Sequence, residues 1–204
     1  MRAAAAAASP ANTLEVVTQP GDNRRSRGRA HSGDALRAAG HVVHTPDLYE
    51  GNVFAELDDG IAYAREVGFG TLLDRGCAAA DGLPAELVYA GMSLGVMPAQ
   101  KLAQTRPGAR GAVLLHAALP ASEFGDAWPA GVPLQIHLME QDPFALEGDL
   151  DAARQLDAEV DGAELFLYPG DRHLFADSSL PDYDAGEAAL LTERVLAFLA
   201  GGSA

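Results

Sequence analysis

Apolar residues follow two rhythms along this chain. Short apolar runs, Leu87-Val88-Tyr89-Ala90, Ala112-Val113-Leu114-Leu115, Val132 to Leu138 and Leu165-Phe166-Leu167-Tyr168, read as strands buried on both faces. Helical spacing takes over between them. Phe54, Leu57, Ile61 and Ala64 mark one helix, and Leu72-Leu73 with Ala78–Ala80 a second after Gly70. Further helices are expected around 94–106 and 148–158, and a last amphipathic one carries Ala188, Leu191, Val195 and Phe198. Nearer the start, Asp34 is placed to cap a short helix over Ala35, Leu36, Ala38 and Ala39, which Gly40 stops. His41-Val42-Val43-His44-Thr45 then reads as a strand closed by Pro46-Asp47. Strand and helix alternate, which predicts an α/β fold: a mostly parallel sheet with helices on both faces, in three layers.

Composition narrows the class. The chain has 204 residues, 48% hydrophobic and 21% charged, enough for one domain with a full core, expected over residues 34–200. No stretch approaches 18 consecutive strongly apolar residues, so no membrane span is expected. The formal charge of −15 argues against nucleic acid as a partner. Cys77 is the only cysteine, which rules out an internal disulfide and any C-x-x-C zinc or redox site. These features suit a cytoplasmic domain. Residues 1–33 differ from the rest. Five arginines stand there against Glu15 and Asp22, a sum of +3 that leaves −18 for the remainder. The alanines at 3–8 make too weak an apolar run for a secretory signal. Only Leu14-Glu15-Val16-Val17 looks like a strand, so this lead reads as irregular or as an atypical first strand.

The candidate chemistry sits where strands end. Gly91-Met92-Ser93-Leu94-Gly95 follows the run 87–90 and opens a helix. A sharp strand-to-helix turn needs glycines around the serine, because side chains there would crowd strained backbone. It would lift the Ser93 hydroxyl above the sheet edge and aim the Leu94 N–H at a developing oxyanion. The bland alternative is a Gly-rich turn with an idle serine. A serine nucleophile also needs a base, and the base needs an orienting acid. Of six histidines, His31 lies in the lead, and His41 and His44 face opposite sides of one strand. His116 and His137 sit in apolar strand runs and read as satisfied core or strand-end residues. His173 follows Tyr168-Pro169-Gly170-Asp171-Arg172, a loop just beyond a strand's carboxyl end, where sites of parallel sheets collect. Asp142, before Pro143, holds the equivalent place after the run 132–138, with Glu140 and Asp171 as its competitors.

The chain order Ser93, Asp142, His173 is that of the α/β-hydrolase triad. Residues from about 34 to 200 resemble the dienelactone hydrolase family. The matching pieces are Leu36-Arg37-Ala38-Ala39-Gly40-His41-Val42-Val43, Pro46-Asp47-Leu48-Tyr49, the elbow Gly91–Gly95, Asp142-Pro143-Phe144, and Tyr168-Pro169-Gly170 followed by His173-Leu174-Phe175. The resemblance implies an α/β-hydrolase fold, with Ser93 as nucleophile, Asp142 as acid and His173 as base. It implies hydrolysis of a small carboxylic ester or lactone through an acyl-enzyme, without metal or cofactor. Two departures stand out. The family's best-known members carry cysteine in the elbow where this chain has Ser93, which shifts the expectation towards a serine esterase. Residues 1–33 also lack the family's opening, whose loop would donate the second oxyanion N–H; the arginine-rich stretch is expected to supply that donor poorly. The other reading is a scaffold of the same fold, weakly active or non-catalytic, that binds a ligand or protein.

Overall fold

The computed structural model describes residues 13–17, 32–52, 54, 57–178 and 180–201. Its strands are β1 (Thr13–Val17), β2 (Val42–His44), β3 (Val88–Met92), β4 (Gly111–Leu115), β5 (Leu134–Met139) and β6 (Ala163–Tyr168). All pair in parallel, in the order β2-β1-β3-β4-β5-β6. The helices are α1 (Ser32–Ala38), α2 (Leu57–Val67), α3 (Phe69–Ala79), α4 (Val96–Thr105), α5 (Asp149–Glu159) and α6 (Ala185–Leu199).

Two covered faces explain the apolar runs. Along β3, Val88, Ala90 and Met92 belong to one core with Leu36 of α1 and Leu191 and Val195 of α6. The alternate residue Tyr89 joins the other core, with Ala64 of α2, Leu72 of α3, Leu102 of α4 and Leu156 of α5. In β4, Val113 and Leu115 face the first core while Ala112 and Leu114 face the second. Side chains alternate with period two, so a strand covered on both sides is apolar along its length, apart from polar residues that satisfy one another, as Gln135 and His137 do in β5. The three layers expected from the sequence are therefore α1 with α6, the sheet, and α2 to α5.

The topology locates a crevice. β1 lies inside the sheet, Leu14 pairing with Val43 of β2 on one side and Val88 of β3 on the other. From β1 the chain moves outward to β2, then crosses back to β3, so the winding reverses between β1 and β3. Connections leaving their carboxyl ends diverge there, and ligands of open parallel sheets bind in such openings. Ser93 is the residue after β3.

Several boundaries shift for local reasons. Asp34 lies in the first turn of α1, ion-paired with Arg37 at 3.2 Å, and is not its cap. Phe54 precedes α2, its ring edge-on to Tyr49 and tilted against Tyr63. Gly68, at φ 90°, separates α2 from α3, which starts one residue ahead of Gly70. β3 runs on through Gly91 and Met92 before the turn. No helix among the described residues is long and apolar enough to cross a membrane.

Candidate active site

The elbow is built on contact between the end of β3 and the start of α4. Met92 is still extended, Ser93 turns to φ 49°, and a short 3-10 turn over Ser93–Gly95 leads into α4. A left-handed φ is unfavourable for serine and marks strain that the flanking elements impose. Gly91 allows the approach. A Cβ there would collide with the Gly95 carbonyl oxygen and lie 2.6 Å from its carbon and 2.7 Å from Val96 Cα. No side chain caps the turn that Leu94 enters.

The three residues singled out in the sequence meet at this edge. Ser93 Oγ lies 2.8 Å from His173 Nε2, and His173 Nδ1 lies 2.7 Å from Asp142 Oδ2. Asp142 is fully buried and His173 nearly so. The other Asp142 oxygen accepts from the Phe144 N–H at 2.9 Å, so the carboxylate is held at both ends. This geometry fits one tautomer. Nδ1–H donates to Asp142, which leaves Nε2 free to accept from the serine hydroxyl. Glu140 and Asp171 are exposed, and neither supplies the carboxylate on His173.

Main-chain bonds tie the two loops together. Glu140 N–H donates to the Tyr168 carbonyl and Gln141 N–H to that of Gly170, both at 2.9 Å. Gly170 makes the required bend at φ 124°. On the far side, the Arg172 guanidinium donates to the Tyr183 carbonyl at 3.2 Å and pairs with Asp184 at 3.5 Å, which itself caps α6. Above the site, the Phe144 ring lies 4.4 Å from that of His173, and Phe144 and Leu146 stay exposed. Asp149, in the first turn of α5, has its acidity weakened, its pKa pushed up to about 6. Burial is the main cause, opposed by His173 and reinforced by Asp142 and Glu147.

The remaining histidines divide. His137 is the satisfied core residue expected, bonded to the Tyr168 hydroxyl at 2.8 Å and Gln135 Oε1 at 2.9 Å. Burial, with Arg194 nearby, pushes its pKa down to about 3. His116 is buried as expected but not satisfied. Among the described residues its two ring nitrogens are the buried side-chain polar atoms left without a partner. It follows β4 at φ 65°, its ring 4.7 Å from Phe175 and 6.2 Å from His173. Such a φ costs on the order of 1–3 kcal/mol and each unpaired buried polar atom about 1–3 more. From the sequence, His116 reads as a core or strand-end residue of an apolar run. It stands one residue past the end of β4, as Ser93 stands one residue past the end of β3. The segment expected to give a second oxyanion donor, between Thr18 and Gly33, lies outside the described residues over 18–31, His31 included, and its last two residues open α1.

Known proteins share this architecture. The structure superposes on a dienelactone hydrolase-like promiscuous phosphotriesterase from metagenomic libraries with a TM-score of 0.71, at 18% identity over 96% of this chain and 88% of that one. A dienelactone hydrolase from Anabaena variabilis gives a TM-score of 0.62, with 19% identity over 91% and 85% of the two chains. A cold-adapted esterase from an Arctic intertidal metagenomic library gives 0.57, with 16% identity over 90% and 82%. No curated protein matches the sequence. These likenesses, at such low identity, establish the α/β-hydrolase fold. Residues 29–202 match the dienelactone hydrolase family over most of the chain, and the protein belongs to that family of hydrolases.

Proposed function

We propose that the protein hydrolyses small carboxylic esters or lactones through an acyl-enzyme on Ser93. The observation that carries this reading is the hydrogen-bonded chain from Ser93 through His173 to Asp142, set at the crevice where the sheet reverses its winding. In the first half-reaction His173 Nε2 takes the hydroxyl proton as Ser93 Oγ bonds to the acyl carbon. The carbonyl electrons move onto oxygen, which the Leu94 N–H at the elbow stabilises. Asp142 holds the imidazole by Nδ1 and stabilises the imidazolium. That imidazolium then protonates the leaving alkoxide as the tetrahedral intermediate collapses. Water repeats the sequence: His173 removes its proton, the hydroxide oxygen bonds to the acyl carbon, and Ser93 leaves with its proton restored.

The exposed Phe144 and Leu146 give the site an apolar border, which suits the uncharged portion of such a substrate. The binding-scaffold reading has no comparable support, since ligand binding alone does not call for a serine, a histidine and a carboxylate bonded in series. A fluorophosphonate probe tests the proposal. It is expected to label the native protein at Ser93, and Ser93→Ala is expected to lose both labelling and turnover of an ester and lactone panel while keeping its fold. An adduct on Cys77 or on another serine, or undiminished turnover by the variant, would overturn it.

A further inference from the structure

We propose that His116 is a positioning residue for His173: a neutral imidazole, enclosed beside the reacting ring, whose dipole stabilises the positive charge His173 takes up during turnover. The inference rests on reading His173 as the general base.

His116 is costly where it stands. It holds a left-handed φ that histidine disfavours, and both ring nitrogens are buried without a partner. Packing does not explain the choice. The ring meets Phe175 edge-on at 4.7 Å and His173 at 6.2 Å, contacts a phenylalanine would make with no polar atom to bury. What phenylalanine cannot offer is a lone pair and an N–H dipole. Of the two histidines that face it, His137 is locked between Tyr168 and Gln135, while His173 gains and loses charge in each half-reaction.

The electrostatics around the pair agree. Burial, then His173 and His137, hold the pKa of His116 well below the ordinary histidine range. It stays neutral at working pH and keeps a lone pair while His173 becomes an imidazolium. The charged and titratable groups facing His173 are Asp142 from the loop after β5, Asp149 from the start of α5, and His116 from the end of β4. A fixed dipole buried beside the reacting ring acts with little dielectric screening and needs no reorganisation as charge develops. No proton passes through His116: the serine proton goes to His173 Nε2 and from there to the leaving group.

The test is His116→Phe, read by kcat, by the pH profile of kcat/KM and by thermal stability. The variant is expected to be more stable, because two orphaned polar atoms are gone, yet slower by about tenfold in kcat. That is less than the roughly 10²–10³ of a donor in direct contact with developing charge, because the rings lie 6.2 Å apart. Its rising limb is expected to move to lower pH, since the imidazolium has lost support. A stabilised variant with unchanged kcat and an unchanged limb would show that His116 only packs, and would overturn the proposal. A second measurement covers a variant that fails to fold. Ring 15N spectra of the native protein across pH 4–8 are expected to show His116 neutral throughout, with its nitrogen shifts responding to the charge on His173. A His116 that protonates in that range, or that ignores His173, overturns the proposal equally. Fluorophosphonate labelling of the native protein separates the two levels. Without label at Ser93 the hydrolase reading falls and this inference with it; with label and an unchanged His116→Phe, only the inference falls.

Discussion

Asp142 and Asp171 show what decides a role at the scale of one residue. Both are aspartates in loops just past strand ends, and composition cannot tell them apart. Asp142 is enclosed, with one oxygen on His173 and the other on the Phe144 N–H, whereas Asp171 points to solvent. Replacing Asp142 with asparagine keeps the shape but, with the amide oxygen on the Phe144 N–H, turns an NH2 donor towards Nδ1 and so disfavours the Nδ1–H tautomer. Steady-state kinetics of Asp142→Asn should show a fall in kcat on the order of 10⁴, while Asp171→Asn should stay within about twofold of the native enzyme. A reversed result would make Asp171 the acid. The three residues were legible because each follows a strand, a property that runs of apolar residues reveal. The state of His116 was not. Its left-handed φ and its missing partners come from what surrounds it in three dimensions, and no local pattern around Leu115-His116-Ala117 announces them.

At the scale of the element, the elbow depends on two pieces of backbone closing on each other over Gly91. A methyl group there meets main-chain atoms of Gly95 and Val96, which cannot move without parting α4 from β3. Gly91→Ala is therefore expected to lower stability by about 3 kcal/mol, the upper range for overpacking, and to remove activity with it. Gly70 is the contrast: exposed in α3, without positive φ, and with open space around its would-be Cβ. There alanine should stabilise by roughly 0.5–1 kcal/mol, because it restricts the unfolded chain and suits a helix. Chemical denaturation of the two variants checks both signs. Element existence was readable because strands covered on both faces are largely apolar on both sides. Their ends were less so. Gly91 and Met92 continue β3 under the grip of parallel pairing to Leu114 and Leu115, which a turn motif in the sequence does not disclose. Asp34 shows the same limit, since a residue suited to capping was taken up as an ion-pair partner of Arg37 one turn later.

At the scale of the whole molecule, the alternation of elements gave the layers but not the strand order. That β1 lies inside the sheet depends on pairing with β2 and β3, and these partners are distant in sequence. The lead that looked least like the family therefore contributes a strand at the sheet's turning point. The placement of titratable groups through the layers sets how stability responds to acid. His137 is fully buried between the sheet and α6, bonded through both nitrogens, with a pKa pushed down to about 3 in the fold. In the unfolded chain the same ring takes a proton near pH 6.5. Between those values the unfolded state binds the extra proton, so stability falls as pH drops from about 6.5 towards 3, and is unaffected above 7. Other groups act at the same time: Asp149, raised to about 6, works in the opposite direction over part of this range. Comparison with His137→Gln isolates the histidine, because glutamine carries no titration. At pH 7.5 the native protein should be the more stable of the two, having both ring hydrogen bonds intact. By pH 5 its advantage should have shrunk by about 2 kcal/mol, the cost of protonating a histidine 1.5 units above the working pH in the unfolded state alone. Denaturant midpoints of the pair at the two pH values measure this directly. A gap that stayed constant would mean that His137 takes up its proton in the folded state too, and that the bonds to Tyr168 and Gln135 do not keep it neutral.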